Sequence, residues 1–252
     1  MKKVISKKRE EDFVQDRVKT GIPGMDEVLK GGLRRGSCVL ITGPPGTGKT
    51  IASIQFILEG AKNNEPGIYI TSEESIEDIR NYSKSLGMDI TPYEKKGLIT
   101  LIEQPMMPKK LMSIATPLEI IKSKKIKRVV LDSITLFEYA YFPEEVSYRR
   151  EVLYFTRKMN EMGVTLITIA EKSIKNIDEV EYKPEDFLFD GLIILMKIRK
   201  DSSFEHCIQV SKMRGQDHLL DIFPFKIGTG GIEVFPKQLP FSLIEKNTAK
   251  FK

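Results

Sequence analysis

The stretch Gly43-Pro44-Pro45-Gly46-Thr47-Gly48-Lys49-Thr50 constrains this chain more than any other. It reads G-x-x-x-x-G-K-[ST], a pattern whose backbone N–H groups cradle a polyphosphate. Phosphate oxygens approach those groups closely only where no Cβ intervenes, which Gly43, Gly46 and Gly48 provide. Lys49 supplies a compact ammonium for the β- and γ-phosphates. Thr50 supplies a hydroxyl for the Mg2+ that bridges them. The flanks agree. Ser37-Cys38-Val39-Leu40-Ile41-Thr42 is a short apolar run of the kind a buried parallel strand needs. Ile51, Ile54, Ile57, Leu58 and Ala61 then recur at helical spacing, up to a stop at Asn63-Asn64-Glu65-Pro66-Gly67. Such a helix would also turn its N-terminal N–H groups to the anion. The competing reading is an ordinary glycine-rich turn between strand and helix.

The chain has 252 residues, enough for one large α/β domain. Its 40 basic residues face 35 acidic ones, so the net charge of +5 suits an anionic ligand without singling out nucleic acid. No apolar run approaches the roughly 20 residues of a membrane span. The first residues, Met1 to Arg9, lack the apolar core of a signal peptide, so a cytoplasmic location is expected. Cys38 and Cys207 sit in apolar strand-like runs and read as buried thiols. With His206 and His218 as the only histidines, no C-x-x-C or H-E-x-x-H spacing supports a zinc site. Nor is there a G-x-S-x-G nucleophile elbow.

Three further stretches carry charge at strand ends. Gly67-Ile68-Tyr69-Ile70-Thr71-Ser72 reads as a strand delivering Glu73 and Glu74, expected on a strand adjacent to the loop strand. Ligands of open α/β sheets sit outside the carboxyl ends of strands, so this pair suits a general base that orients an attacking water. The same acids also suit the first turn of the helix expected over Ser75–Leu86. Arg128-Val129-Val130-Leu131-Asp132 is an apolar strand ending in a carboxylate, which would hold Mg2+ through its water shell. Its successor Ser133 is not a second acid, which directs the search for a base back to Glu73 and Glu74. Lys212 and Arg214 alternate along an extended segment, so both should project the same way, as a fork reaching a phosphate. A solvated strand end is the plainer account of them.

The remaining pattern is alternating strands and helices. Strands are expected over Leu98–Ile102 and Val164–Ala170. Helices are expected over Met112–Ile121 and Glu145–Met162. The stretch Glu171–Glu185 reads as an irregular polar loop. An antiparallel pair over Leu192–Ile198 and Phe204–Val210 follows, with short closing strands at Phe223–Ile227 and Gly231–Phe235. The fold class is therefore α/β, a mainly parallel sheet flanked by helices with antiparallel strands at its C-terminal edge. A peripheral arm is expected over residues 1–17, the domain over 18–236, and a peripheral tail over 237–252.

Taken in order, Thr20-Gly21-Ile22-Pro23-Gly24-Met25-Asp26, the loop Gly43–Thr50, Thr71-Ser72-Glu73-Glu74, Leu131-Asp132-Ser133 and Lys212-Met213-Arg214-Gly215 with His218 resemble a single KaiC-like domain of the RecA superfamily. The resemblance implies a RecA-like phosphate-loop core that binds ATP with Mg2+ and hydrolyses it slowly, as a switch or motor. It implies that Glu73 and Glu74 are catalytic and that Asp132 serves the metal with Thr50. Lys212 and Arg214 would reach the γ-phosphate of a neighbouring subunit, and His218 that neighbour's nucleotide. Ser85 would lie near the base. A homo-oligomeric ring, most simply a hexamer, follows from a finger acting in trans. Two departures stand out: Gln216 replaces a small hydroxyl residue, and Gly228-Thr229-Gly230-Gly231 lacks an aspartate. Other readings are a recombinase-like DNA-binding protein, an autokinase using a hydroxyl such as that of Ser173, and a nucleotide-dependent scaffold.

Overall fold

The computed structural model describes residues 17–104, 115–134, 145–173, 182, 184–200 and 202–241. Two short strands, β1 (Arg17–Val18) and β2 (Leu33–Arg34), pair antiparallel around the helical turn α1 (Met25–Val28). Strand β3 (Cys38–Gly43) runs into helix α2 (Lys49–Lys62), and β4 (Gly67–Thr71) into α3 (Ile76–Ser85). Then come α4 (Thr91–Lys95), β5 (Ile99–Glu103), α5 (Ala115–Ser123), β6 (Arg128–Asp132), α6 (Glu145–Glu161) and β7 (Thr165–Glu171). A 3-10 turn at Pro184–Leu188 precedes β8 (Gly191–Lys200), β9 (Ser203–Met213), β10 (Ile222–Gly228) and β11 (Gly231–Val234).

Nine strands form one sheet in the order β11-β10-β9-β8-β3-β7-β6-β4-β5. From β8 to β5 all neighbours are parallel; from β8 outward to β11 all are antiparallel. The expected fold class stands. One detail is corrected: β4 is not adjacent to the loop strand β3, because β7 and β6 lie between them. Strand order is set by crossover connections, which local sequence does not report.

Period-two alternation sorts each strand between two cores. In β3, Val39 and Ile41 face the layer containing α2, while Cys38 and Leu40 face the layer containing α6. Helix α2 is buried over most of its circumference, through Ala52, Ile54, Phe56, Ile57, Leu58 and Ala61. Its one buried amide is satisfied: Gln55 Nε2 donates to Ile232 O at 2.9 Å, and Ile232 N donates to Gln55 Oε1 at 2.8 Å. This bolts the loop-bearing helix to the antiparallel edge. Helix α3 begins with a reciprocal cap between Ser75 and Asp78. Cys38 and Cys207 are both buried free thiols. Helix α4 was not anticipated, and the 3-10 turn begins within the stretch expected to be irregular. The arm up to residue 16, the Pro-rich residues 105–108, residues 174–181 and the tail from 242 lie outside the described residues. Among the described residues no helix is long and apolar enough to cross a membrane.

Candidate nucleotide site

The loop Gly43–Thr50 sits at the carboxyl end of β3 and opens α2. All three of its glycines have positive φ, Gly46 at 70°. Gly43 has φ of 154°, and a Cβ there would stand 2.1 Å from the Leu195 carbonyl oxygen. Gly48, the N-cap of α2, has φ of 92°. Thr47 Oγ1 donates to Pro44 O at 2.8 Å, which ties the loop's two limbs together. Lys49 is buried, and its Nζ donates to Gly43 O at 2.9 Å and to Pro44 O at 3.0 Å. Burial pulls its pKa down, with the carboxylates of Glu171, Asp132 and Glu73 acting in the opposite direction.

The acids reach this cradle by stitching β4 to β6. Thr71 pairs with Asp132 in the parallel ladder. Ser72 N donates to Asp132 O at 2.8 Å, and Ser133 N donates to Ser72 Oγ at 3.1 Å. Thr71 Oγ1 donates to Glu74 O at 2.7 Å and closes the turn that carries the glutamates. Ser133 Oγ then donates to Glu73 Oε1 at 2.5 Å. The residue after Asp132 therefore serves Glu73. Thr50 Oγ1 donates to Asp132 Oδ2 at 3.2 Å, and Tyr69 Oη donates to the same oxygen at 2.6 Å. Burial pushes the Asp132 carboxyl up despite both donors. Glu74 is half-buried, with a buried Oε2 that has no partner among the described residues. Burial, then the charges of Asp132, Asp78 and Glu73, push its pKa up from 4.5 to about 7.

Together these groups line a cleft of about 500 Å³. The lining brings together Gly46, Gly48, Lys49 and Thr50 of the loop, the acids Glu73, Glu74 and Asp132, and Tyr82, Ser85, Leu86 and Ile227, the last beside Gly48. Pro45 also lines it, as does Glu171, which the sequence reading left in a polar loop. Glu171 pairs with Gly43 across β3 and β7. An acid ending a buried strand was the cue that picked out Asp132, and it applies equally here.

The cations at the end of β9 lie elsewhere. Gly191 pairs with Val39 on one side and Met213 on the other. Lys212 and Arg214 are thus at the amino end of β3, four residues or about 13 Å along the strand from Gly43. Lys212 Nζ donates to Phe189 O at 2.8 Å and Arg214 Nη2 to Phe187 O at 3.0 Å. Both do project towards one segment. Burial, then the Arg214 charge, lower the Lys212 pKa. That segment is held to the loop strand: Lys172 N donates to Gly43 O at 3.2 Å, and the buried Lys172 ammonium pairs with Asp186. His218 is not in the cleft either; its Nδ1 meets Leu219 O at 2.9 Å. Gln216 has a structural task, with Nε2 donating to Leu29 O and Gly32 O and Oε1 accepting from Arg34 N. The Gly228–Gly231 turn closes on the end of α3, where Gly230 N donates to Leu86 O at 2.7 Å.

The family described as ATPase: KaiC matches residues 18–239. The chain belongs to this family. A UPF0273 protein of Pyrococcus horikoshii is 34% identical over 239 residues, which cover 88% of this chain and 95% of that protein. The circadian clock oscillator protein KaiC of Parasynechococcus marenigrum is 32% identical over 228 residues, 86% of this chain. Those residues are only 44% of the clock protein's length. In three dimensions, the chain is similar to the crystal structure of a KaiC-like protein from Pyrococcus horikoshii, with a TM-score of 0.76 and 35% identity over 87% of this chain and 99% of that one. It is accordingly a nucleotide-binding domain of RecA-like fold.

Proposed function

We propose that this chain is a Mg2+-dependent ATPase of slow turnover whose active sites are completed between subunits of a ring, most simply a hexamer, working as a switch or motor. One observation carries the reading: the cleft gathers Glu73, Glu74, Asp132 and Glu171 around Lys49, the single cation among the described residues of its lining, with the Lys197 ammonium beside Gly46. The loop's N–H groups and these two ammonium groups face four carboxylates, so a triphosphate there calls for further positive charge. The residues fit a hard divalent cation. Thr50 and Asp132 offer a hydroxyl and a carboxylate within 3.2 Å of each other. Among the described residues no group of three or more His, Cys, Asp or Glu could hold a metal on its own. Mg2+ commonly takes one or two protein oxygens and completes its shell with phosphates and waters. The chemistry it supplies there is charge neutralisation across the phosphate oxygens.

The chain's own residues do the rest. The loop glycines and Lys49 bind the phosphates, and Glu73 and Glu74 orient water and accept its proton. The carboxyl of Glu74, raised to about 7, is matched to that task near neutral pH. Ser85, Leu86, Tyr82 and Ile227 flank the base. The remaining positive charge comes from Lys212 and Arg214 of an adjoining subunit, since a chain's own pair is at the wrong end of its sheet. Such fingers are worth about 10³–10⁵ in rate.

Mixing tests this. A Glu73→Gln, Glu74→Gln chain and a Lys212→Ala, Arg214→Ala chain are each inactive alone. In a one-to-one mixture, random neighbours restore about one quarter of the sites, because an intact cradle then meets an intact finger. No recovery of ATP turnover on mixing sinks the shared-site reading.

A further inference from the structure

Among the described residues Tyr69 is the bulkiest of the fully buried side chains, and it ends in a hydroxyl. Packing against α2 asks only for the ring. Burying a phenol is costly unless its O–H finds an acceptor, so its presence in the core points to the acceptor. That acceptor is Asp132 Oδ2, at 2.6 Å. The strand register makes the contact possible. Thr71 stands opposite Asp132, and Tyr69 stands two residues earlier on the same face of β4, paired with Val130. Two residues are about 6.6 Å of strand, a span that a tyrosine ring covers and a serine or threonine does not.

Asp132 is therefore gripped on one oxygen by two hydroxyls, from Tyr69 and Thr50. Its Oδ1 accepts no hydrogen bond from the described residues. A free carboxylate exchanges its two oxygens by rotation; two donors on one oxygen stop that rotation. We propose that Tyr69 is a positioning residue for the metal-facing carboxylate, and that by holding Asp132 Oδ2 it reserves Oδ1 for the water shell of the nucleotide's divalent cation. This deepens the reading of Asp132 given above and rests on it. Tyr69 is not among the described residues that line the cleft and meets it only through Asp132, so its effect falls on the metal and leaves the bare nucleotide alone. Hydrogen bonds from outside the ligand shell typically set metal affinity by about 10–100-fold.

The test is calorimetric and needs no turnover. ADP is titrated into the full chain in EDTA, and Mg2+ is then titrated into the ADP complex. Tyr69→Phe keeps the ring, so it should melt near the wild type and bind ADP in EDTA with the same affinity. Its half-saturating Mg2+ should rise about tenfold. Asp132→Asn is the reference and should raise it at least as far. A Mg2+ requirement in Tyr69→Phe equal to that of the wild type overturns the proposal. So does a matching loss of ADP affinity in EDTA, which is what a merely structural tyrosine would give. If Asp132→Asn leaves the Mg2+ requirement unchanged, Asp132 itself is wrongly assigned, and the claim for Tyr69 falls with it. Should Tyr69→Phe not accumulate folded, Tyr69→Met, an adaptable filler, is held to the same outcomes.

Discussion

Replacing Glu74 by Gln should make the protein more stable and less active, and the gain in stability should depend on pH. An unfolded glutamate releases its proton near 4.5, whereas Glu74 in the folded chain releases it only near 7. Between those values the folded state holds a proton that the unfolded state has lost, so wild-type stability falls as pH rises and levels off above 7. At about 1.4 kcal/mol per tenfold, the rise corresponds to at most about 3.4 kcal/mol. The side chain is only half-buried, and solvent screening brings the figure to about 1–2 kcal/mol. For a chain of this size that is about 2–8 °C in Tm. Gln has nearly the same shape and no charge to desolvate. Melting curves of nucleotide-free protein at pH 5 and pH 8 should show the variant and wild type close together at the lower pH. At the higher pH the variant should melt several degrees later. Its ATP turnover should fall by about 10²-fold or more. An equal gap at both pH values, or a less stable variant at pH 8, refutes the argument that burial and neighbouring carboxylates strain this group.

Two further outcomes test the scaffold. Gly43→Ala places a Cβ against the Leu195 carbonyl at a backbone angle that favours glycine, so it should cost about 2–4 kcal/mol in thermal or urea unfolding. Gln216→Ala removes three hydrogen bonds that fasten the turn after β9 to residues 29–34. It should cost about 1–3 kcal/mol in the same measurements and leave ADP affinity, read by calorimetry, unchanged.

Much of the site was legible because its chemistry is local. A glycine loop between an apolar strand and a periodic helix specifies β3, the cradle and α2 together. Asp132 and the Glu73-Glu74 pair were visible as acids at strand ends. Glu171 carried the same cue and was passed over, because the polar residues after it read as loop. Tyr69 gave no signal: its hydroxyl matters only through a diagonal contact across two strands, and in the sequence it is one more aromatic residue in an apolar run. The separation of β4 from β3 by two strands was equally invisible, since crossover connections decide it. Gln216 looked like a departure from a family pattern and is accounted for by the three backbone groups it satisfies. Helix α4 is five residues long with a proline near its start, too short for periodicity to show.

One sheet carries the acidic cradle at one end of β3 and the basic pair at the other. A twofold axis across the strands would set each cradle against the other copy's basic pair and stop at two copies. The shared-site proposal calls instead for head-to-tail stacking, which would serve every copy but the last. Whether the last one closes on the first is then a matter of the angle between successive copies alone: a closing rotation gives a finite circle, and a small pitch gives an open spiral. The same two patches thus serve both forms, and whatever tilts one copy against the next chooses between them.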